Sequence, residues 1–142
     1  DVVIRRTRPL AGLRVLVVDD NRDTRDVLQA VLELEGAAVS KAGSSAAALA
    51  ALDRERPDVM VVDIGMPSVN GFELVQLIRT RPAERGGQVP AVALTGYISA
   101  EDRATAADSG FQAYLTKPVE ERALVDAVQL LGRRCCAKFI AL

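Results

Sequence analysis

Five residues able to do chemistry stand just past short apolar runs. Asp19 and Asp20 follow Val15-Leu16-Val17-Val18, Asp63 follows the run from Val59 to Val62, and Thr95 follows Ala91 to Leu94. Lys117 comes two residues after the run from Ala113 to Leu115. If the chain folds so that these ends meet, three carboxylates share one place. At ~4 Å and an effective dielectric near 20, each like-charged pair costs about 4 kcal/mol. A divalent cation and a lysine relieve that repulsion, and an all-oxygen ligand set favours Mg2+ or Mn2+. Mg2+ keeps several waters and commonly bridges to phosphate oxygens. The Thr95 hydroxyl and the Lys117 ammonium then serve as donors to a phosphoryl group. A carboxylate can itself be the nucleophile, giving an aspartyl phosphate, and such a site works mainly by positioning and charge neutralisation. Each residue also has a structural reading. Asp19, Asp20 and Asn21 suit helix N-caps, Asp63 suits a turn, Thr95 suits a strand, and Lys117 suits a solvated surface.

The elements that would have to position these groups can be read from periodicity. Arg14 to Val18, Ala37 to Ala42, Val59 to Val62, Ala91 to Leu94 and Ala113 to Leu115 read as strands. Between and after them lie helical segments. Asn21 to Glu35 has Val27, Val31 and Leu34, with Leu28 and Leu32, at three- and four-residue spacing. An alanine-rich segment capped by Ser44 or Ser45 runs to about Glu55, ahead of Pro57. Phe72 to Arg79 presents Phe72, Val75 and Ile78 on one side. Ala100 to Ser109 has only a thin stripe, Ala104 and Ala107. Glu120 to Leu131 presents Leu124, Ala127, Val128 and Leu131. Gly36 suits a helix C-cap. A turn runs from Met66-Pro67 to Asn70-Gly71, and residues 80–90, with Pro82, Gly86, Gly87 and Pro90, read as a longer loop. Strands alternating with helices predict an α/β domain with a parallel sheet, whose active crevice lies past the carboxyl ends of the strands. Four of the five expected strand ends carry the residues named above.

Composition narrows the function. The chain has 142 residues, 49% of them hydrophobic and 26% charged, enough for one core. Eighteen basic residues against nineteen acidic leave a net charge of −1, which argues against direct nucleic-acid binding by bulk electrostatics. Histidine is absent, which excludes His-based triads, His metal sites and phosphohistidine within these residues. The adjacent Cys135 and Cys136 suit neither a disulfide framework nor a zinc site. No apolar run suits a membrane span. A signal peptide is likewise not expected. A cytoplasmic domain without direct membrane contact is therefore expected. Because the chain starts at Asp1, the expectation is a fragment of something longer, whose parent can be membrane-anchored.

Four segments together resemble the receiver domain of bacterial two-component response regulators: Val15 to Asn21, Val61-Val62-Asp63-Ile64-Gly65-Met66-Pro67 through Asn70-Gly71, Ala93 to Tyr97, and Tyr114-Leu115-Thr116-Lys117-Pro118. The resemblance covers about residues 13–132, leaving 1–12 as an arm or linker and 133–142 as a tail that extends the last helix or is a cloning residue. It implies a flavodoxin-like, doubly wound, five-stranded parallel sheet of order 2-1-3-4-5 with five helices. Asp63 is then the phosphoacceptor. Asp20, Asp63 and the backbone carbonyl of Gly65 hold Mg2+ (or Mn2+), with Asp19 acting through water. Thr95 binds a phosphoryl oxygen and moves on activation, Lys117 pairs with phosphate, and the Lys117–Pro118 bond is cis in many relatives. Tyr114, otherwise a half-buried strand aromatic, matches a switch position whose ring turns inward as Thr95 is drawn to the phosphate. Phosphorylation shifts a pre-existing equilibrium at the fourth helix, fifth strand and fifth helix. The fourth helix, with few apolar contacts, is expected to move most. Gly65 offers no side chain to orient water, Tyr97 can cover the site, and Ser99 suits the cap of the fourth helix.

Loop 80–90, Leu94 to Tyr97 and the segment Pro9 to Leu13 resemble receivers at the C-terminal end of hybrid sensor histidine kinases. The implied donor is a histidine kinase domain, the next acceptor a histidine phosphotransfer protein, and the implied pairing a homodimer through the fourth-helix to fifth-helix face. Two other contexts stay open: a separate response regulator without its output domain, and a pseudo-receiver that binds partners unphosphorylated. A phosphatase of the haloacid dehalogenase type needs a second acid two residues after the nucleophile, where this chain has Gly65.

Overall fold

Apolar runs of β-branched residues alternate with amphipathic segments, and the structure turns each into the expected element. The computed structural model describes residues 8–64, 71–96, 100–133 and 140–141, the last two and residues 100–103 and 106 by backbone only. The strands are β1 (Arg14–Val18), β2 (Ala38–Ala42), β3 (Val59–Asp63), β4 (Ala91–Thr95) and β5 (Ala113–Thr116). The helices are α1 (Arg22–Leu34), α2 (Ser45–Glu55), α3 (Gly71–Arg79), α4 (Ala100–Ser109) and α5 (Glu121–Gly132). All strand pairs are parallel, in the order β2-β1-β3-β4-β5. The chain reverses its direction of winding between β1 and β3, which puts a crevice at their carboxyl ends.

Two apolar layers cover the sheet, as a parallel sheet requires. One holds Leu16, Val62, Leu74, Ile78 and Phe111. The other holds Val15, Val17, Leu32, Leu124 and Leu131. Asn21 caps α1 by accepting from the Thr24 N–H at 3.1 Å, and Ser44 caps α2 by accepting from the Ala47 N–H at 3.1 Å. Within residues 80–90, Ala83–Arg85 forms a short 3-10 turn and Arg81 pairs with Asp53.

Several details differ from the periodicity reading. Of the five apolar residues on α1, only Leu28 and Leu32 are buried. Val27 is 61% exposed and Leu34 76%, because they lie roughly 120–140° around the helix from that seam. On α4, Ala104 is exposed and Ala107 half-buried, so its apolar stripe is thinner still. Leu10, in the stretch read as an arm, is fully buried, and its N–H donates to the Glu35 carbonyl at 2.9 Å. Arg133 clasps the same stretch, donating to the carbonyls of Pro9 and Ala11 at 2.9 and 3.0 Å. Within the C-terminal tail, Ile140–Ala141 forms a two-residue strand, β6, parallel to Ala113 and Tyr114 at the outer edge of β5. Cys135 and Cys136 lie outside the described residues.

A half-buried arginine ties the amino-terminal side of the sheet together. Arg79, the last residue of α3, donates to the Gly110 carbonyl at 3.1 and 2.7 Å. It also donates to the Gly87 carbonyl and to Gln112 Oε1, each at 3.1 Å. Gln112 in turn accepts from the Ala91 N–H at 2.7 Å and donates to Gly110 at 2.9 Å. Burial holds the Arg79 pKa below its ordinary value.

Candidate functional site

β1, β3 and β4 end side by side, and the polar groups stand at the last residue of β3 and β4 and just past the end of β1. Asp63 is paired with Leu94 one step before Thr95, and Thr95 is paired with Thr116 beside Lys117. The Lys117 N–H donates to the Thr95 carbonyl at 2.7 Å, so the β5 end is tied to the β4 end. The Lys117–Pro118 peptide is cis. Lys117 Nζ forms an ion pair with the Asp63 carboxylate, which is itself buried. Thr95 and Tyr114 are buried as well, Tyr114 to 4% exposure among the residues packed against α2 and α3.

Asp19 is the most constrained of the acids, at 1% exposure. Its N–H donates to the Ala42 carbonyl at 3.1 Å, and its Oδ1 accepts from the Asn21 N–H at 2.9 Å. Its Oδ2 is buried without a hydrogen-bond partner. Burial is the main cause that pushes the Asp19 pKa up from 3.8 to about 6. The Asn21 N–H works against this, the neighbouring Asp63 adds to it, and Lys117 lowers it. Asp20, next in sequence, is half-exposed at the rim.

An orphaned, buried carboxylate oxygen beside a second buried carboxylate suits a hard cation. Among the described residues, no three His, Cys, Asp or Glu side chains converge on one point as a cage of protein ligands. The donor set therefore suits Mg2+, which takes one or two carboxylates and fills its other positions with water and phosphate oxygens. Gly65, whose carbonyl was expected to complete that set, lies outside the described residues, as do Tyr97 and Ser99.

The structure thus brings Asp19, Asp63, Thr95 and Lys117 to one edge of the sheet. It adds two residues whose part in the site was not read from the sequence. Arg25 Nη1 donates to the Asp19 carbonyl at 2.7 Å. Gly71 lets α3 start against the end of β3: a Cβ there would lie 2.8 Å from Ile64 Cγ2 and 3.0 Å from Ile64 Cα. Gly71→Ala should therefore shift Ile64, the neighbour of Asp63, and cost about 1–3 kcal/mol by overpacking. Urea unfolding measures this, and an unchanged midpoint would show that the α3 start is free to give way.

A doubly wound parallel sheet with its polar residues gathered past the strand ends at the β1/β3 switch defines a flavodoxin-like domain. Residues 15–129 match the response regulator receiver domain family. The uncharacterized 14.6 kDa protein of the sodA1 3′ region of Leptolyngbya boryana is 48% identical over 120 residues, 84% of this chain and 90% of that protein. The sensor histidine kinase GacS of Pseudomonas protegens is 39% identical over 116 residues, 81% of this chain but 13% of the kinase. The chemotaxis protein CheY4 of Vibrio cholerae superposes with a TM-score of 0.77 at 30% identity, covering 86% of this chain and 98% of that one. The chain belongs to the response regulator receiver domain family and is a receiver domain of two-component signalling.

Proposed function

We propose that Asp63 accepts a phosphoryl group from a phosphohistidine, with Mg2+ bound by Asp20, Asp63 and the Gly65 carbonyl and by Asp19 through water. The observation that carries this reading is the Lys117–Asp63 ion pair beside the orphaned Asp19 oxygen. A carboxylate oxygen of Asp63 attacks phosphorus, the P–N bond to the donor imidazole breaks, and its electron pair returns to the ring nitrogen. Lys117 leaves the carboxylate for the phosphoryl oxygens, and the Thr95 hydroxyl donates to another of them, so both act where charge builds up. Bound Mg2+ supplies charge neutralisation across the carboxylates and the incoming phosphoryl group.

Movement of Thr95, on β4 next to the strand that carries Tyr114, then reports the phosphoryl group to α4, β5 and α5. The Tyr114 ring is already buried before any phosphoryl group is bound, so the expected inward turn is not what the switch adds. The donor histidine lies outside these residues, since the chain has none. Because the chain spans about an eighth of GacS, the similarity to that kinase favours a cytoplasmic receiver within a hybrid sensor kinase. A histidine phosphotransfer protein is then the next acceptor. Homodimerisation through α4, β5 and α5 would have to accommodate Ile140–Ala141 at the β5 edge. Among the described residues no helix is long and apolar enough to cross a membrane.

Intact-mass analysis after acetyl phosphate treatment tests the reading. One phosphoryl adduct is expected with Mg2+, none with EDTA, and none in Asp63→Asn. An adduct that survives in Asp63→Asn would move the acceptor elsewhere. If neither an adduct nor amide shifts with beryllofluoride and Mg2+ appear, the domain is a binding module that works unphosphorylated.

A further inference from the structure

We propose that Arg25 is a positioning residue that fixes the Asp19 peptide for Mg2+ binding, with Gly43 as the platform that admits it. This rests on the reading of the acidic edge as a Mg2+ site. Arg25 is on the first turn of α1, and its own N–H donates to the Asn21 carbonyl at 3.0 Å. Its side chain folds back toward the β1 end, where Nη1 donates to the Asp19 carbonyl at 2.7 Å. The bond goes to the main chain, so the guanidinium steers the peptide and leaves the carboxylate free.

That contact completes a set. The Asp19 N–H is held by Ala42, its carbonyl by Arg25, and its Oδ1 by the Asn21 N–H. Only Oδ2 is left over. Asp19 is thus locked at every polar atom but one, and partners that orient a ligating carboxylate commonly decide metal affinity.

Gly43 explains how Arg25 gets there. It joins β2 to the Ser44 cap of α2, and the guanidinium lies directly over it. A Cβ at Gly43 would sit 2.6 Å from Nη1, 3.3 Å from Cζ and 3.7 Å from Nη2. The backbone of Gly43 is not in the left-handed region, so alanine there adds bulk without backbone strain.

The test is a Mg2+ titration of the 142-residue chain, followed by the amide shifts of Asp19 and Asp20, with urea unfolding in EDTA as the control for folding. Arg25→Ala should raise the Mg2+ Kd by roughly tenfold, in line with other groups that orient a metal ligand. Arg25→Lys, with one ammonium instead of a planar fork, should recover part of that loss. Gly43→Ala should weaken Mg2+ in the parent chain and have no further effect in Arg25→Ala, since the displaced group is gone. At saturating Mg2+, phosphorylation of Arg25→Ala by acetyl phosphate should approach the parent rate. A Kd within twofold of the parent, additive effects of the two substitutions, or a rate that stays low at saturating Mg2+ would each overturn the proposal. If the parent chain shows no Mg2+ response, the Mg2+ reading fails first and takes this proposal with it.

Discussion

Arg79→Met is expected to destabilise the domain by about 3 kcal/mol, more than any other single substitution considered. Methionine fills much of the aliphatic volume but has no donors. Four hydrogen bonds are lost, two to Gly110, one to Gly87 and one to Gln112. Bonds from a charged donor contribute about 1.5–3 kcal/mol each, and an acceptor left dry adds its own desolvation cost. Gly110 keeps the bond from Gln112 Nε2, and Gln112 keeps the Ala91 N–H, so the loss is smaller than the sum. The Gly110 carbonyl lies just past the end of α4, where a cation also favours the helix dipole. Of the α4 side chains described, none that is apolar is fully buried, so Arg79 should matter most there. In Arg79→Met, amide exchange should rise first in α4 and around Gly110, and the urea midpoint should fall by more than 1 M on a slope of about 1–3 kcal/mol/M. Arg79→Lys should fall between the two, since one ammonium cannot span the Gly87 carbonyl together with the Gly110 and Gln112 oxygens. A loss under about 0.5 kcal/mol would mean that water replaces the guanidinium freely.

This clamp was not legible in the sequence, whereas the site largely was. Asp63, Thr95 and Lys117 could be placed because each follows an apolar run, and parallel strands deliver such ends to one edge. Arg79 contacts Gly110 and Gln112 more than thirty residues away, and no local period links them. Arg25 reads as one more charge on a polar helix face until the β2–α2 connection comes to lie beneath it. On α1 the period was right, but it could not choose between two adjacent apolar seams. Leu28 and Leu32 turn inward while Val27 and Leu34 stay in solvent, because the sheet covers only one flank. Leu10 was missed for the opposite reason: a single leucine among arginines, proline and glycine has no period, yet it fills a core position.

Asp19→Asn should make the metal-free protein more stable at pH 8 and change little at pH 4. In the native protein burial lifts the Asp19 pKa from 3.8 to about 6, with Asp63 adding to the effect. Between those values the native state holds a proton that the unfolded chain has released. Stability of the metal-free protein therefore falls as pH rises from about 4 to 6, and the full cost remains above that window. The difference of about two units corresponds to roughly 2–3 kcal/mol. Asparagine has no charge to bury and can still accept from the Asn21 N–H through its carbonyl, so the cost disappears while the fold of the loop is kept. Thermal unfolding in EDTA across pH 4–8 gives the comparison, and parallel profiles for the two proteins would show that Asp19 is not the group responsible. Mg2+ should act in the opposite sense. Added above pH 6 it should stabilise the parent strongly and Asp19→Asn weakly, because the carboxylate that costs stability when metal-free is the one a cation would neutralise. The acidic edge is therefore held in a strained state of charge by the same burial that readies it for a cation, and the protein trades stability at neutral pH for that readiness.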